Sequence, residues 1–182
     1  MGLHSLRQWR RQSGPLLFFN VMGHDPAMVA LGILEHPEKS LKDTVRNITE
    51  IGRFTVNLVT EELAPLMNQT ATDLPYAQSE ADMAAVALCP AATNGVPGIA
   101  SSPVRLECQL MQIISTRTQQ KIVLGEILSL YVQDELMIDP STATIELSAH
   151  APIARMGGAG LYCRTIDRFN ITRADSQTQP LD

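Results

Sequence analysis

The feature that most limits the fold is a pair of long apolar alternations joined by a short polar link. Val104, Leu106, Cys108 and Leu110 alternate with Arg105, Glu107 and Gln109; the phase then slips, and Met111 and Ile113 continue the apolar set. Alternation at a period of two puts one set of side chains on one face of a sheet. A slip of one residue is what a β-bulge near Leu110 produces. ThrArgThrGlnGln at 116–120 turns the chain, and Lys121 to Tyr131 forms a second strand with Ile122, Leu124, Leu128 and Leu130 on one phase. The two runs predict a long antiparallel hairpin.

The rest of the chain is shorter pieces. Pro15 to Gly23 and Ala27 to Leu34 are apolar runs around a HisAspPro turn. They are apolar on both faces, which fits strands buried within a sheet or barrel; buried helix is the alternative, and their length and flanking Gly and Pro favour strand. A helix is expected from Leu41 to about Ile51, closed by Gly52. Phe54, Val56 and Leu58 then alternate with Thr55 and Asn57 in a half-buried strand. Thr60-Glu61-Glu62 opens a helix that turns Leu63, Leu66 and Met67 inward. Ala71 to Gln78 is loop, Ser79 to Val86 one short helix, and Cys89 to Ser102 irregular chain over the surface. Many short strands, few helices and no strict βαβ rhythm suggest a β-barrel with helical insertions.

Composition narrows the function. At 182 residues the chain is about one domain. Its net charge of −5 argues against a nucleic-acid surface, which needs concentrated Lys and Arg. No apolar run approaches the roughly 20 residues of a membrane span. Residues 1–14 form a basic arm without the apolar segment of a secretory signal. Cys89, Cys108 and Cys163 are odd in number and widely spaced, so reduced, buried thiols in a cytoplasmic protein are expected and a metal site is not. His24, His36 and His150 lack partner spacing and receive no catalytic role, and Met22, Met28, Met111 and Met156 read as core fillers.

One stretch points to a ligand. Ser40 can cap the Leu41 helix and Asp43 can return the bond, while Leu41, Val45 and Ile48 share the inward face. Lys42 and Thr44 then lie in the first turn, where unpaired N–H groups and the helix dipole favour an anion. A cation, a hydroxyl and free amides at a helix start suit a phosphate. An ordinary capped surface helix reads equally from these residues and is the commoner case.

Four segments, in order, resemble one family. They are PhePheAsnVal at 18–21 with AspPro at 25–26, LysAspThrValArgAsnIle at 42–48, PheThrValAsnLeuValThrGluGluLeu at 54–63, and ArgMetGlyGlyAlaGlyLeuTyr at 155–162. Over roughly residues 15–164 the chain resembles the flavin reductase-like family, the FMN-binding split-barrel proteins that include flavoredoxin. That resemblance implies a mainly β fold with helical insertions, an FMN-binding split β-barrel of Greek-key type. It implies the barrel over 15–164, while the residues themselves read as a basic N-terminal arm over 1–14 and, being polar with little apolar pattern, a loose tail over 165–182. The resemblance implies a homodimer with FMN near the subunit interface, NADH or NADPH as electron donor, and a partner monooxygenase or other electron acceptor. Carried onto this chain, Lys42 and Thr44 hold the FMN phosphate, and Asp43 and Asn47 fix the turn. Phe18, Phe19 and Asn20 line the isoalloxazine, and Arg155, Gly157 and Tyr162 close over it.

Other roles stay open for several of these residues. Core packing is the commoner use of strand aromatics such as Phe18 and Phe19, Asn20 suits a strand end, and glycine clusters alone are weak signs of phosphate binding. The chain also departs from the family pattern. Relatives carry a further N-terminal strand where the basic arm stands, which would leave a barrel edge unpaired. Leu17 and Gly23-His24 replace hydroxyl side chains that relatives carry. No GxGxxG follows a strand, so any nicotinamide would stack directly on the flavin. A flavin carrier without turnover, or a degenerate barrel kept for protein contacts, are the other readings.

Overall fold

A computed structural model describes residues 18–34, 43–71, 80–117, 120–158 and 160–171. The expectations for the 1–14 arm, for Ser40, Leu41 and Lys42, for the loop at 72–78, for Ser79 and for the end of the tail fall outside them. In chain order the elements are β1 (Phe18–Met22), β2 (Met28–Leu34), α1 (Asp43–Ile51), β3 (Arg53–Asn57), α2 (Ala64–Gln69), α3 (Glu80–Met83), β4 (Leu88–Cys89), β5 (Gly98–Ile99), β6 (Val104–Ser115), β7 (Gln120–Val132), β8 (Met137–Asp139), β9 (Thr144–Ile145), β10 (Ile153–Gly157) and β11 (Leu161–Arg164).

The β6–β7 hairpin is the spine. Five strands form one antiparallel sheet in the order β1-β2-β7-β6-β3, beside three two-stranded ribbons. Among the described residues the sheet does not close. The register slips between Leu110 and Gln112, where the alternation changes phase, and again between Glu107 and Cys108. One face carries the core, in which Val29, Leu31, Phe54, Leu106, Cys108 and Val123 pack beneath Val45 and Ile48 of α1. That packing is why α1 sits where it does. It ends with Gly52 at φ +72° and its N–H bonded to Ile48 O, and β3 starts one residue later.

Several expectations are corrected. On β7 the inward residues are Val123, Gly125 and Ile127, whereas Leu128 and Leu130 are exposed and Ile122 and Leu124 only half-buried. Gly125 is a core position because a Cβ there would overlap the Phe54 ring. β1 is not buried on both faces: among the described residues it is the sheet edge, and all five of its residues are exposed. Its neighbour β2 does alternate, with Val29, Leu31 and Ile33 buried. No helix starts at Thr60, which is buried and bridges Pro152; α2 begins at Ala64, with Leu63 at its N-cap, and buries no residue fully. α3 stops at Met83, followed by Ala85 at φ 51° and a Val86 N–H to Ala81 O bond, the αL ending of a short helix. The 89–102 stretch is irregular between β4 and β5, as expected, but it does not simply run over the surface, since Asn94 is wholly buried. Of the three cysteines, all free, only Cys108 is buried; Cys89 and Cys163 are half-exposed.

Candidate functional site

The described residues expected to bind a flavin lie on α1, β1 and the β10–β11 hairpin. Thr44 and Asn47 sit half-buried on the first turns of α1, held there by the buried Val45 and Ile48. Asp43 is the first residue of that helix, and Lys42 lies outside the described residues. Phe18, Phe19 and Asn20 pair with Gly32, Leu31 and Ala30 on the open edge of the sheet. Strand alternation places Phe18 and Asn20 on one face and Phe19 on the other, the face of the buried Leu31. Phe18 is 54% exposed and Phe19 41%, so neither is plain core within this chain.

Arg155, Gly157 and Tyr162 come together on the β10–β11 hairpin. Arg155 and Tyr162 are direct cross-strand partners. Arg155 Nη1 donates to the Tyr162 hydroxyl at 2.9 Å and Nη2 to Gly158 O at 2.7 Å. The guanidinium carbon stands 4.9 Å from the Tyr162 ring centroid. The hairpin is fastened by its base: Ile153 N–H bonds Val59 O at 2.9 Å, Thr60 bridges Pro152, and Thr165 Oγ1 donates to Pro152 O at 2.7 Å. Arg164 adds an exposed ion pair with Glu61, whose hydrogen bond holds the Glu61 carboxyl below its ordinary range. Arg168 reaches Glu146, whose carboxyl is lowered to about 2, chiefly by the Ser148 hydroxyl and then by Arg168.

This hairpin can take a flat polar group. Two of the five guanidinium N–H donors of Arg155 are accounted for above, and a Cβ on Gly157 or Gly160 would meet no atom within 4 Å. The donors and the uncrowded tip fit a flavin, whose ring offers carbonyl and nitrogen acceptors and whose phosphate is anionic.

Sequence reasoning missed a second centre. Glu107, placed on the outward phase of β6, is 6% exposed. Its Oε1 accepts Ala92 N–H at 2.7 Å; its Oε2 accepts Thr93 N–H at 2.7 Å, Thr93 Oγ1 at 2.7 Å and Asn94 N–H at 2.9 Å. Burial pushes its pKa up, but the hydrogen bonds from Asn94, Ala92 and Thr93 outweigh that and bring it down to about 2. Asn94 then donates to Phe54 O at 2.9 Å and accepts Val96 N–H at 2.8 Å. The loop is thereby laid over β3 and β6. One signal was available: a long stretch of small residues has backbone donors that something buried must satisfy. Beside it the Cys108 thiol is pushed up to about 12, by burial first and then by the Glu107 charge, and is inert as a nucleophile.

The open five-stranded sheet, the helix after β2 and the glycine-rich hairpin define a mainly β protein of split-barrel type. The sequence model of the flavin reductase like domain matches residues 11–140, and the chain belongs to that family. An uncharacterised protein of Deinococcus radiodurans is 36% identical over 159 residues, covering 87% of this chain and 70% of its own. Among solved structures, the 2-nitrobenzoate 2-nitroreductase NbaA of Pseudomonas fluorescens is 34% identical, with 93% of this chain and 79% of that one covered at a TM-score of 0.79. Nitrilotriacetate monooxygenase component B of Bacillus cereus is 25% identical, covering 88% and 79% at 0.79. A split-barrel protein of Shewanella frigidimarina, 20% identical, covers 92% and 81% at 0.80 and bears on the fold alone.

Proposed function

We propose that this chain binds FMN and passes hydride to it from NADH or NADPH. Membership of the flavin reductase-like family, over a match that spans β1, α1 and β3, is the observation that carries this reading. Flavin, when bound, would supply the redox chemistry as the hydride acceptor, and the polypeptide contributes binding, orientation and exclusion of water. Lys42 and Thr44 hold the phosphate, with Asp43 and Asn47 fixing the helix start. Phe18, Asn20 and Phe19 flank the ring, and Arg155, Gly157 and Tyr162 close on it from the hairpin. The working form is a cytoplasmic homodimer that hands electrons to a partner, and the likeness to a monooxygenase component B supports an oxygenase as that partner.

Anaerobic spectroscopy tests the reading. Protein reconstituted with FMN should be yellow and bleach on NADH or NADPH. A yellow protein that neither donor bleaches is a flavin carrier instead, and failure to retain FMN overturns the proposal. Lys42→Ala should weaken FMN binding by about 1.5–3 kcal/mol, the scale of a charge-assisted bond to phosphate. Lys39→Ala, further from the helix start, should do much less; equal losses would remove the phosphate assignment.

A further inference from the structure

A recess of about 170 Å³ lies at the far end of the spine, lined by Thr55, Glu107, Arg105, Ser129, Tyr131 and loop residues 90, 92 and 98 among others. Its floor follows from register. Arg105 stands opposite Tyr131 and Glu107 opposite Ser129, two rungs apart on one sheet face, and β3 sets Thr55 beside Glu107. The wall is the loop that Glu107 holds in place. Beyond the Met28–Glu126 pair, Ile127 N–H still bonds Ala27 O at 2.8 Å, and past it β7 has no strand partner on that side among the described residues.

The groups lining this recess have unequal calls on them. Both Glu107 oxygens are occupied by the loop. The Arg105 side chain is held flat, with its guanidinium carbon 3.5 Å from the Tyr131 ring centroid. Gly98 packs against the stem of this side chain, where a Cβ would overlap Arg105 Cδ. Nη1 donates to Ile99 O at 3.3 Å and Ser102 O at 3.2 Å, whereas Nη2 and Nε donate to no described residue. Nor does the Ser129 hydroxyl bond any described residue. A rigidly stacked guanidinium with spare donors matches a carboxylate in a way that a flexible ammonium does not. A cavity of about 150 Å³ accommodates benzene, so the recess sets the scale of the ligand at one small ring.

We infer that the recess between Arg105, Tyr131 and Ser129 binds a small carboxylate of roughly one-ring size. Its carboxylate takes the Arg105 donors and the Ser129 hydroxyl, and its apolar body lies along the Tyr131 ring and the loop. The site is built from β6, β7 and the 90–98 loop, and it shares no residue with the proposed flavin contacts, so it stands whether or not FMN binds.

The test is a two-dimensional amide NMR titration of the full chain with benzoate, and with neutral benzamide as the matched control. Benzoate should shift the amides of Gly98, Ser129 and Tyr131 saturably in the millimolar range, and benzamide should not. Ser129→Ala should weaken benzoate about fivefold and Arg105→Gln should abolish the response. If Arg105→Gln fails to fold, Ser129→Ala decides alone. Absence of saturable shifts, equal shifts from benzamide, or an unchanged benzoate affinity in Ser129→Ala would overturn the inference.

Discussion

The Glu107-held end of the sheet and the β10–β11 hairpin are built on opposite plans. At the first, a buried carboxylate collects three backbone N–H groups and a hydroxyl, and a wholly buried Asn94 ties the same loop to β3. At the second, neither strand contains a fully buried residue, and attachment rests on one isolated bridge at Thr60–Pro152, made by the Ile153 N–H to Val59 O bond, together with one hydroxyl bond and an exposed ion pair. Buried hydrogen bonds to a charge are costly to lose, whereas exposed ion pairs contribute little. One end is therefore fixed by its own packing. The other is positioned yet left free to respond to what binds against Arg155 and Tyr162.

The largest test of that contrast is Glu107→Ala. It strands the N–H groups of Ala92, Thr93 and Asn94 while leaving the hairpin untouched. Urea unfolding should show a loss of about 3 kcal/mol, the scale of removing a buried charged acceptor from several donors. A loss below about 1 kcal/mol, the range of an exposed contact, would mean that water replaces the carboxylate at no cost.

Acid gives the next largest effect. The Glu107 carboxyl titrates near 2 in the fold against an ordinary 4.5. Lowered in the folded state, it adds stability that is complete above about pH 4.5 and is lost as the pH falls from there toward 2. Glu146, likewise lowered to about 2 but exposed to solvent, adds only a screened contribution that both proteins share, so the comparison is made with Glu107→Gln. The variant should be less stable at neutral pH, and the difference between the two proteins should shrink steadily over that acid range. Parallel curves would remove the carboxylate from the account.

What could be read from the sequence divides along the same line. The β6 alternation and its slip at Leu110 were legible because one face of that strand is buried; the slip leaves Met111, expected on the apolar set, at the bulge and 49% exposed, while Ile113 does return to the core face. On β7 both phases carry aliphatic residues, and the inward one includes Gly125, whose role becomes visible only when the Phe54 ring packs over it. Thr60 looked like a helix start because its neighbours Glu61 and Glu62 suit a first turn. Tertiary pairing with Pro152 claimed it instead. Glu107 was assigned to the outward phase, and rightly; periodicity carries no information about a loop that returns to cover that phase. For the flavin site the residues alone yielded only a helix start. The hairpin pair Arg155 and Tyr162 came from family resemblance, since a cross-strand contact between half-exposed residues leaves no periodic trace.

The smallest effect is expected at the hairpin, and it is the one that separates structure from function. Tyr162→Phe removes only the hydroxyl that accepts from Arg155 Nη1, keeping the ring and the backbone pairing. Because no residue of β10 or β11 is fully buried, the melting temperature should stay within about a degree of wild type, as for most surface substitutions. Hydrogen exchange at residues 153–164 should already be much faster than on β6 and should rise severalfold in the variant, since such segments open locally without global unfolding. Adding FMN should slow exchange there in wild type and slow it less in Tyr162→Phe, as the loosened guanidinium must be re-ordered on binding. If the hairpin amides prove as protected as those around Cys108, the two ends of the molecule are held alike and the contrast drawn between them falls.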